Sequence, residues 1–224
     1  GARRLGRYLR AGGTMNGQEG ASAGALGGGV RVTVPVSLAP DEAARGLVPR
    51  LRVLIDEAAP ASSGEAYPDG SGTYADPVIT PCRVPVVTID GYSGSGKSTL
   101  AAALVSLLPG WQVLHLDDWY PGWDGLAAGA QVARRICEDL RAGCPSSYEA
   151  WDWEADAPGV VVDVPVAPTI IEGCGAWDAD ADLSIWIEDP GEDERRRRAL
   201  ARDGATYAPH WQRWADQDKG RFVK

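Results

Sequence analysis

The sequence predicts an α/β fold in three layers, a mainly parallel sheet with helices on both faces. Three observations predict it. Short apolar runs (Val84–Asp90, Gln112–Leu116, Thr169–Gly173 and Leu183–Ile187) alternate with helix-length segments, the pattern of strands joined by helical crossovers. The first run passes through a glycine-rich turn directly into the alanine- and leucine-rich stretch that ends at Leu108. Carboxylates then fall just after strand-like runs, where an open parallel sheet gathers its ligands.

Taken in order, residues 1–29 are Gly/Ala-rich with few large apolar groups and are expected to be a disordered tail. Arg3, Arg4, Arg7 and Arg10 read there as solvated charge, and Met15, the single methionine, marks a candidate natural start. Residues 30–80 are expected to form a strand–helix appendage and linker. Val30, Val32, Val34 and Val36 alternate with polar residues or Pro35, whose missing N–H pushes the strand to a sheet edge. Asp41–Ala59 is amphipathic, with Leu47, Leu51, Leu54 and Ile55 on one face and a start or kink expected at Pro49. Residues 60–81 read as a Pro/Gly/Ser linker.

Residues 81–224 are expected to be the domain that carries the chemistry. Pro109-Gly110 ends its first helix, Leu126–Arg141 forms the next, and a loop centred on Tyr148–Trp153 follows. Gly191–Arg202 begins with Glu192, Asp193 and Glu194 and continues with Arg195–Arg198, a charge order that suits the helix dipole. A last helix covers His210–Lys219.

The glycine-rich turn, Gly91-Tyr92-Ser93-Gly94-Ser95-Gly96-Lys97-Ser98, fits G-x-x-x-x-G-K-[ST], the phosphate-binding loop. The architecture expected is therefore that of a P-loop NTPase. Glycines let successive backbone N–H groups face an anion at a helix N-terminus, where the dipole favours negative charge. Gly91, Ser93, Gly94, Ser95, Gly96, Lys97, Ser98 and Thr99 are the candidate nucleotide ligands. Lys97 is placed to reach the β- and γ-phosphates, and the Ser98 hydroxyl to ligate Mg²⁺.

Asp117, after the second strand of this domain, is a candidate base for a substrate hydroxyl or a ligand to Mg²⁺. Asp118 is its weaker twin. Glu172 ends an apolar strand, a position suited to metal or substrate. Arg198 and Arg202 share a helix face and are the candidate arginines for a transferring phosphoryl group. Trp119, Trp123, Trp151 and Trp153 either stack a planar substrate or pack a lid, and Trp211 either packs or lies against an adenine. His115 has no partner visible in the sequence and reads as structural.

Composition narrows the function classes. The chain has 224 residues, 44% hydrophobic and 24% charged, enough for one sizeable α/β domain. A net charge of −9 argues against a nucleic-acid partner. The four cysteines form no C-x-x-C pair and no ligand spacing with the two histidines, which points to reduced thiols in a cytoplasm. No apolar run reaches membrane-spanning length, so no membrane association is expected.

These residues resemble the uridine kinase/phosphoribulokinase-like P-loop kinases over about Val84–Asp218. The likeness rests on Gly91–Thr99, D-x-[aromatic]-Y at Asp117–Tyr120, Trp151-Asp152-Trp153, Glu172-Gly173, and R-x-x-x-R-D at Arg198–Asp203. The stretch Leu116–Leu126 also resembles an LDD-[aromatic]-Y-x-G-W-D-G-L motif of uncharacterised actinobacterial ATP-binding proteins. The resemblance implies an ATP- and Mg²⁺-dependent kinase acting on a hydroxyl of a small nucleoside- or sugar-like acceptor. It implies Asp117 as base, Arg198 and Arg202 as lid arginines, and Asp117, Tyr120, Asp152, Trp153 and Glu172 about the acceptor. Tyr148–Asp156 departs from the base-reading segment of uridine kinases. Relatives also add a strand after the last helix, which is either absent at Lys224 or replaced by Val30–Val36.

Two other classes remain at this level, a nucleotide-dependent switch acting on a partner protein and a non-catalytic nucleotide holder. Against the switch, the chain has no N-K-x-D, and its D-x-x-G, Asp156–Gly159, is not at a strand end beside the phosphates. The sequence leaves the oligomeric state open.

Overall fold

The chain forms β1 (Val30–Val34), α1 (Pro40–Ala58), β2 (Val86–Asp90), α2 (Lys97–Val105), β3 (Gln112–His115), α3 (Leu126–Arg141), β4 (Ser146–Asp152), β5 (Ala157–Val164), β6 (Thr169–Glu172), β7 (Leu183–Ile187), α4 (Glu192–Tyr207) and α5 (Trp211–Gly220). This is a computed structural model, and it describes residues 29–58 and 83–221. The tail expected over 1–29, apart from Gly29, and the linker expected over 60–81 lie outside those residues. Five strands make one parallel sheet in the order β1–β7–β2–β6–β3, and β4 and β5 form a separate antiparallel pair.

The central strand explains the layering. All five residues of β2 are buried, as a strand covered on both faces must be. Val87 and Ile89 join Val32, Val34, Ile170, Ile185 and Ile187 on one face, which α1 and α2 cover with Leu47, Leu51, Leu100 and Leu104. Val86, Leu114 and Ile171 point the other way, into a core built from α3, α4 and α5. Among the described residues no helix is long and apolar enough to cross a membrane.

The N-terminal strand–helix unit, expected as an appendage, is continuous with this sheet. β1 pairs in parallel with β7 and occupies the edge, as Pro35 leads one to expect. α1 runs through Pro49 rather than starting there, with Leu47, Val48 and Leu51 buried around it. The packing of that face against α2 outweighs the lost backbone N–H.

The expected loop at Tyr148–Trp153 is corrected by the structure. Ser146–Asp152 pairs with Ala157–Val164 as a hairpin, irregular between Glu149 and Trp151. Its second strand leaves Val160 and Val161 exposed, so apolar burial gave no periodic signal to read. α4 also runs beyond its expected end at Arg202 to Tyr207, broken at Gly204, whose φ of 58° and ψ of −135° are not helical.

Leu47 is fully buried between α1 and the sheet. Leu47→Ala is therefore expected to cost about 2–5 kcal/mol, read as a lower midpoint in urea unfolding. A midpoint within error of the parent would show that α1 does not share the core.

Candidate functional site

The phosphate loop lies at the carboxyl end of β2, between that strand and α2. Gly94 holds φ 80°, and a Cβ there would collide with the Arg195 carbonyl, so only glycine allows α4 to approach the loop this closely. Gly96 holds φ 105°, and a Cβ there would meet nothing within 4 Å; the loop opens on that side. Ser98 and Thr99 are exposed at the mouth, while Ser95 is buried and its hydroxyl has no protein partner.

Lys97 lies beneath the loop. Its ammonium donates to the carbonyl oxygens of Gly91 (2.9 Å) and Tyr92 (3.2 Å) and lies 3.3 Å from the Cys174 sulfur. Burial works to depress its pKa, but the Cys174 sulfur and the carboxylates of Glu172, Asp218 and Asp90 hold it above the ordinary value. Lys97 is thus a fixed positive charge in this site.

A ring of groups that the sequence did not single out holds the loop from behind. Asp90, fully buried, accepts hydrogen bonds from the backbone N–H groups of Gly91 (2.6 Å), Gly175 (3.0 Å) and Trp177 (2.9 Å) and from the Arg221 guanidinium (2.7 Å). Asp218 accepts from the Ser93 N–H (2.9 Å) and from Arg221 (2.6 Å). The Tyr207 hydroxyl is 2.9 Å from that of Ser93. Arg195, 1% exposed, donates to the Ser93 carbonyl (3.2 Å) and to Asp189 (2.7 Å) and lies over the Tyr92 ring. Only Asp90 carried a readable signal, an acid between an apolar strand and a glycine loop. Asp218 and Arg221 come from a helix end far away in the sequence.

The loop opens into a cavity of ≈ 1090 Å³ whose walls include Ser93–Thr99, His115, Asp117, Asp118, Tyr120, Trp153, Glu172, Arg198 and Arg202. Asp117 comes from the 3-10 turn Leu116–Asp118 that follows β3. It is accessible from the cavity yet enclosed by protein. That enclosure, with repulsion from Glu172, raises its pKa above the ordinary value against the pull of Lys97 and Arg202. Glu172, at the end of β6, receives a 2.6 Å hydrogen bond from His115. Burial works to raise the Glu172 pKa. The hydrogen bonds from His115 and Ser98 and the charge of Lys97 overcome it and lower the pKa overall. The partner that His115 lacked in the sequence is therefore Glu172, its neighbour in the register of β3 and β6.

The other candidates are placed differently. Arg198 and Arg202 line the cavity, and their guanidinium groups are held by Glu194 (2.7 Å) and Asp203 (2.7 Å). Tyr120 presents its ring, but its hydroxyl is committed to the Cys174 carbonyl at 2.7 Å. The Trp153 indole N–H donates to the Asp117 carbonyl (2.8 Å), and its ring lies 4.8 Å from that of Trp123. Asp152 is not on the cavity wall; its carboxylate caps the hairpin turn, accepting from the N–H groups of Glu154 and Ala155 at 2.9 Å each. Trp211 is 3% exposed beneath Arg195 and is not on the wall either.

No protein-family model matches the sequence, and no curated protein matches it. Among solved structures, a possible uridine kinase from Bacillus stearothermophilus is similar at 20% identity and TM-score 0.39, over 63% of this chain and 88% of that one. A candidate fructose transport system kinase from Silicibacter sp. TM1040 is similar at 20% identity and TM-score 0.45, over 79% of this chain and 88% of that one.

Two outcomes follow from this geometry. Arg221→Met leaves the buried Asp90 carboxylate without its countercharge and is expected to cost about 3 kcal/mol, measured by denaturant unfolding; an unchanged midpoint would remove Arg221 from the support of the loop. Exposed Cys144 is expected to react with iodoacetamide in the native protein, whereas Cys137, whose thiol burial pushes up to about 12, and buried Cys174 react only after unfolding. Early modification of Cys174 in peptide mass maps would contradict the closed floor beneath Lys97.

Proposed function

We propose that this chain is a small-molecule kinase, transferring the γ-phosphoryl group of ATP to a hydroxyl of a nucleoside- or sugar-like acceptor in the cytoplasm. One observation carries the reading: the open mouth of the phosphate loop and the Asp117 carboxylate are walls of the same cavity. At ≈ 1090 Å³ it is slightly larger than the usual ligand-pocket range of about 300–1,000 Å³.

The residues present fit a nucleoside triphosphate. The Ser95 hydroxyl is buried without a protein partner beside that mouth, and nothing occupies the space where a Cβ of Gly96 would point. A phosphate there meets backbone N–H groups at the start of α2 and the fixed charge of Lys97. The Ser98 hydroxyl with Glu172 and Asp117 would hold Mg²⁺, which takes one or two carboxylates and completes its shell with phosphate oxygens and water. Bound there, the ion neutralises phosphate charge.

Asp117 accepts the proton of the acceptor hydroxyl as that oxygen attacks. Lys97, Arg198 and Arg202 balance the charge on the phosphoryl oxygens, so that positioning and electrostatics do most of the work. Trp153, bonded to the Asp117 carbonyl, keeps the base facing the cavity.

A panel of nucleosides, sugars and vitamins is expected to contain an acceptor that accelerates ADP release. With that acceptor, Asp117→Asn is expected to lower turnover by about 10²–10⁴-fold while ATP binding in calorimetry is kept. Lys97→Ala is expected to abolish the binding itself. Rapid ADP release that no acceptor stimulates, unchanged in Asp117→Asn, would replace the kinase with a hydrolase.

A further inference from the structure

The cavity has two chemically different ends, and the sheet order sets which end receives which part of the nucleotide. The phosphate loop follows the middle strand, β2. Above the β6–β3 side stand Glu172, His115, Asp117 and Asp118. Above the β7–β1 side the wall is Val34, Pro35, Val36, Leu38 and Ile187, with Pro40 and Ala43 of α1, all of them apolar, and the Glu188 carboxylate is bonded to the Val36 N–H. A triphosphate seated on the loop between them points its terminal phosphate one way and its nucleoside the other. The phosphoryl group must face the proton acceptor and the metal-binding carboxylates, so the nucleoside is directed over β7 and β1. Two strand spacings separate β2 from β1, about 10 Å, a reach suited to the ribose and base of a nucleotide anchored by its phosphates.

The geometry points to the β1–α1 connection, Val34–Ala43, as the nucleobase wall of this protein, an assignment that rests on the nucleotide reading above. It gives the N-terminal strand–helix unit, which shows no chemistry in the sequence, a direct part in ligand binding. The chemistry matches: a purine offers two flat apolar faces, and this wall is apolar with a proline within it. Val36 is 52% exposed beside the buried Val34 and Ile187, and Pro40 is exposed too, as a surface that a planar ligand could cover would be. The wall also has a fixed shape. The Leu38 N–H donates to the Pro35 carbonyl at 3.0 Å, the Val36 N–H to Glu188 at 3.3 Å, and the Glu188 N–H to the Val34 carbonyl at 3.0 Å, tying the connection to the end of β7.

The test separates base from phosphate. Calorimetry on the whole chain compares Mg²⁺·ATP with Mg²⁺·tripolyphosphate for the parent, Val36→Gln and the double variant Val36→Gln/Leu38→Gln. The parent is expected to bind ATP more tightly than tripolyphosphate. That advantage shrinks by about tenfold in the double variant and in part in Val36→Gln, while tripolyphosphate affinity stays constant throughout. Because Val36 is exposed, Val36→Gln keeps the fold. Irradiation with 8-azido-ATP is expected to label the peptide containing Val34–Ala43. An advantage that survives both wall variants, or a label on the peptides containing Trp123 or Trp153, overturns the assignment and leaves the kinase reading standing. Failure of both ligands to bind overturns the two together.

Discussion

A single buried carboxylate governs the arrangement of this molecule. Asp90 ends the central strand with no exposure to solvent, and an isolated charge there would be untenable. It is stable only because the chain brings four donors to it: the first amide of the phosphate loop, two amides from the connection after β6, and the guanidinium of Arg221. The donors come from three parts of the sequence. Satisfying that one charge therefore fixes the start of the loop, the bend after β6 and the end of α5 in one step.

The same economy shapes the electrostatics of the cavity. The chain as a whole is acidic, with a net charge of −9, yet Lys97, Arg195, Arg198 and Arg202 converge on the loop or its rim. Their partners differ in kind. Lys97 and Arg195 are held by backbone carbonyls of the loop itself, so they shape it, whereas Arg198 and Arg202 hold nearby carboxylates on α4. Cations and the carboxylates of Asp117, Asp118, Glu172 and Asp203 thus face one another around the same cavity.

Legibility in the sequence followed the physics of each feature. The phosphate loop was readable because its geometry needs glycine, lysine and a hydroxyl at fixed spacing, and the strands around it because burial on both faces writes continuous apolar runs. Asp117 and Glu172 were readable because parallel strands end at the ligand crevice. The β4–β5 hairpin was not, since Val160 and Val161 face solvent and Asp152 serves the turn rather than the cavity. Pairings that join distant segments left no local trace: His115 to Glu172, Asp218 to Ser93, Tyr207 to Ser93. The N-terminal strand showed its period and its edge position, but only the register with β7 shows that it belongs to the same sheet.

That register also bears on how the molecule comes into being on the ribosome. Val30 is synthesised well before its partner Leu183, with β2 to β6 translated in between. Until then the outermost strand has nothing to pair with, and α1 has no complete surface to cover. Closing so long a loop is slow compared with forming local contacts. The nascent polypeptide consequently carries an unpaired outer strand until Leu183–Ile187 has been made, a window in which association competes with native pairing.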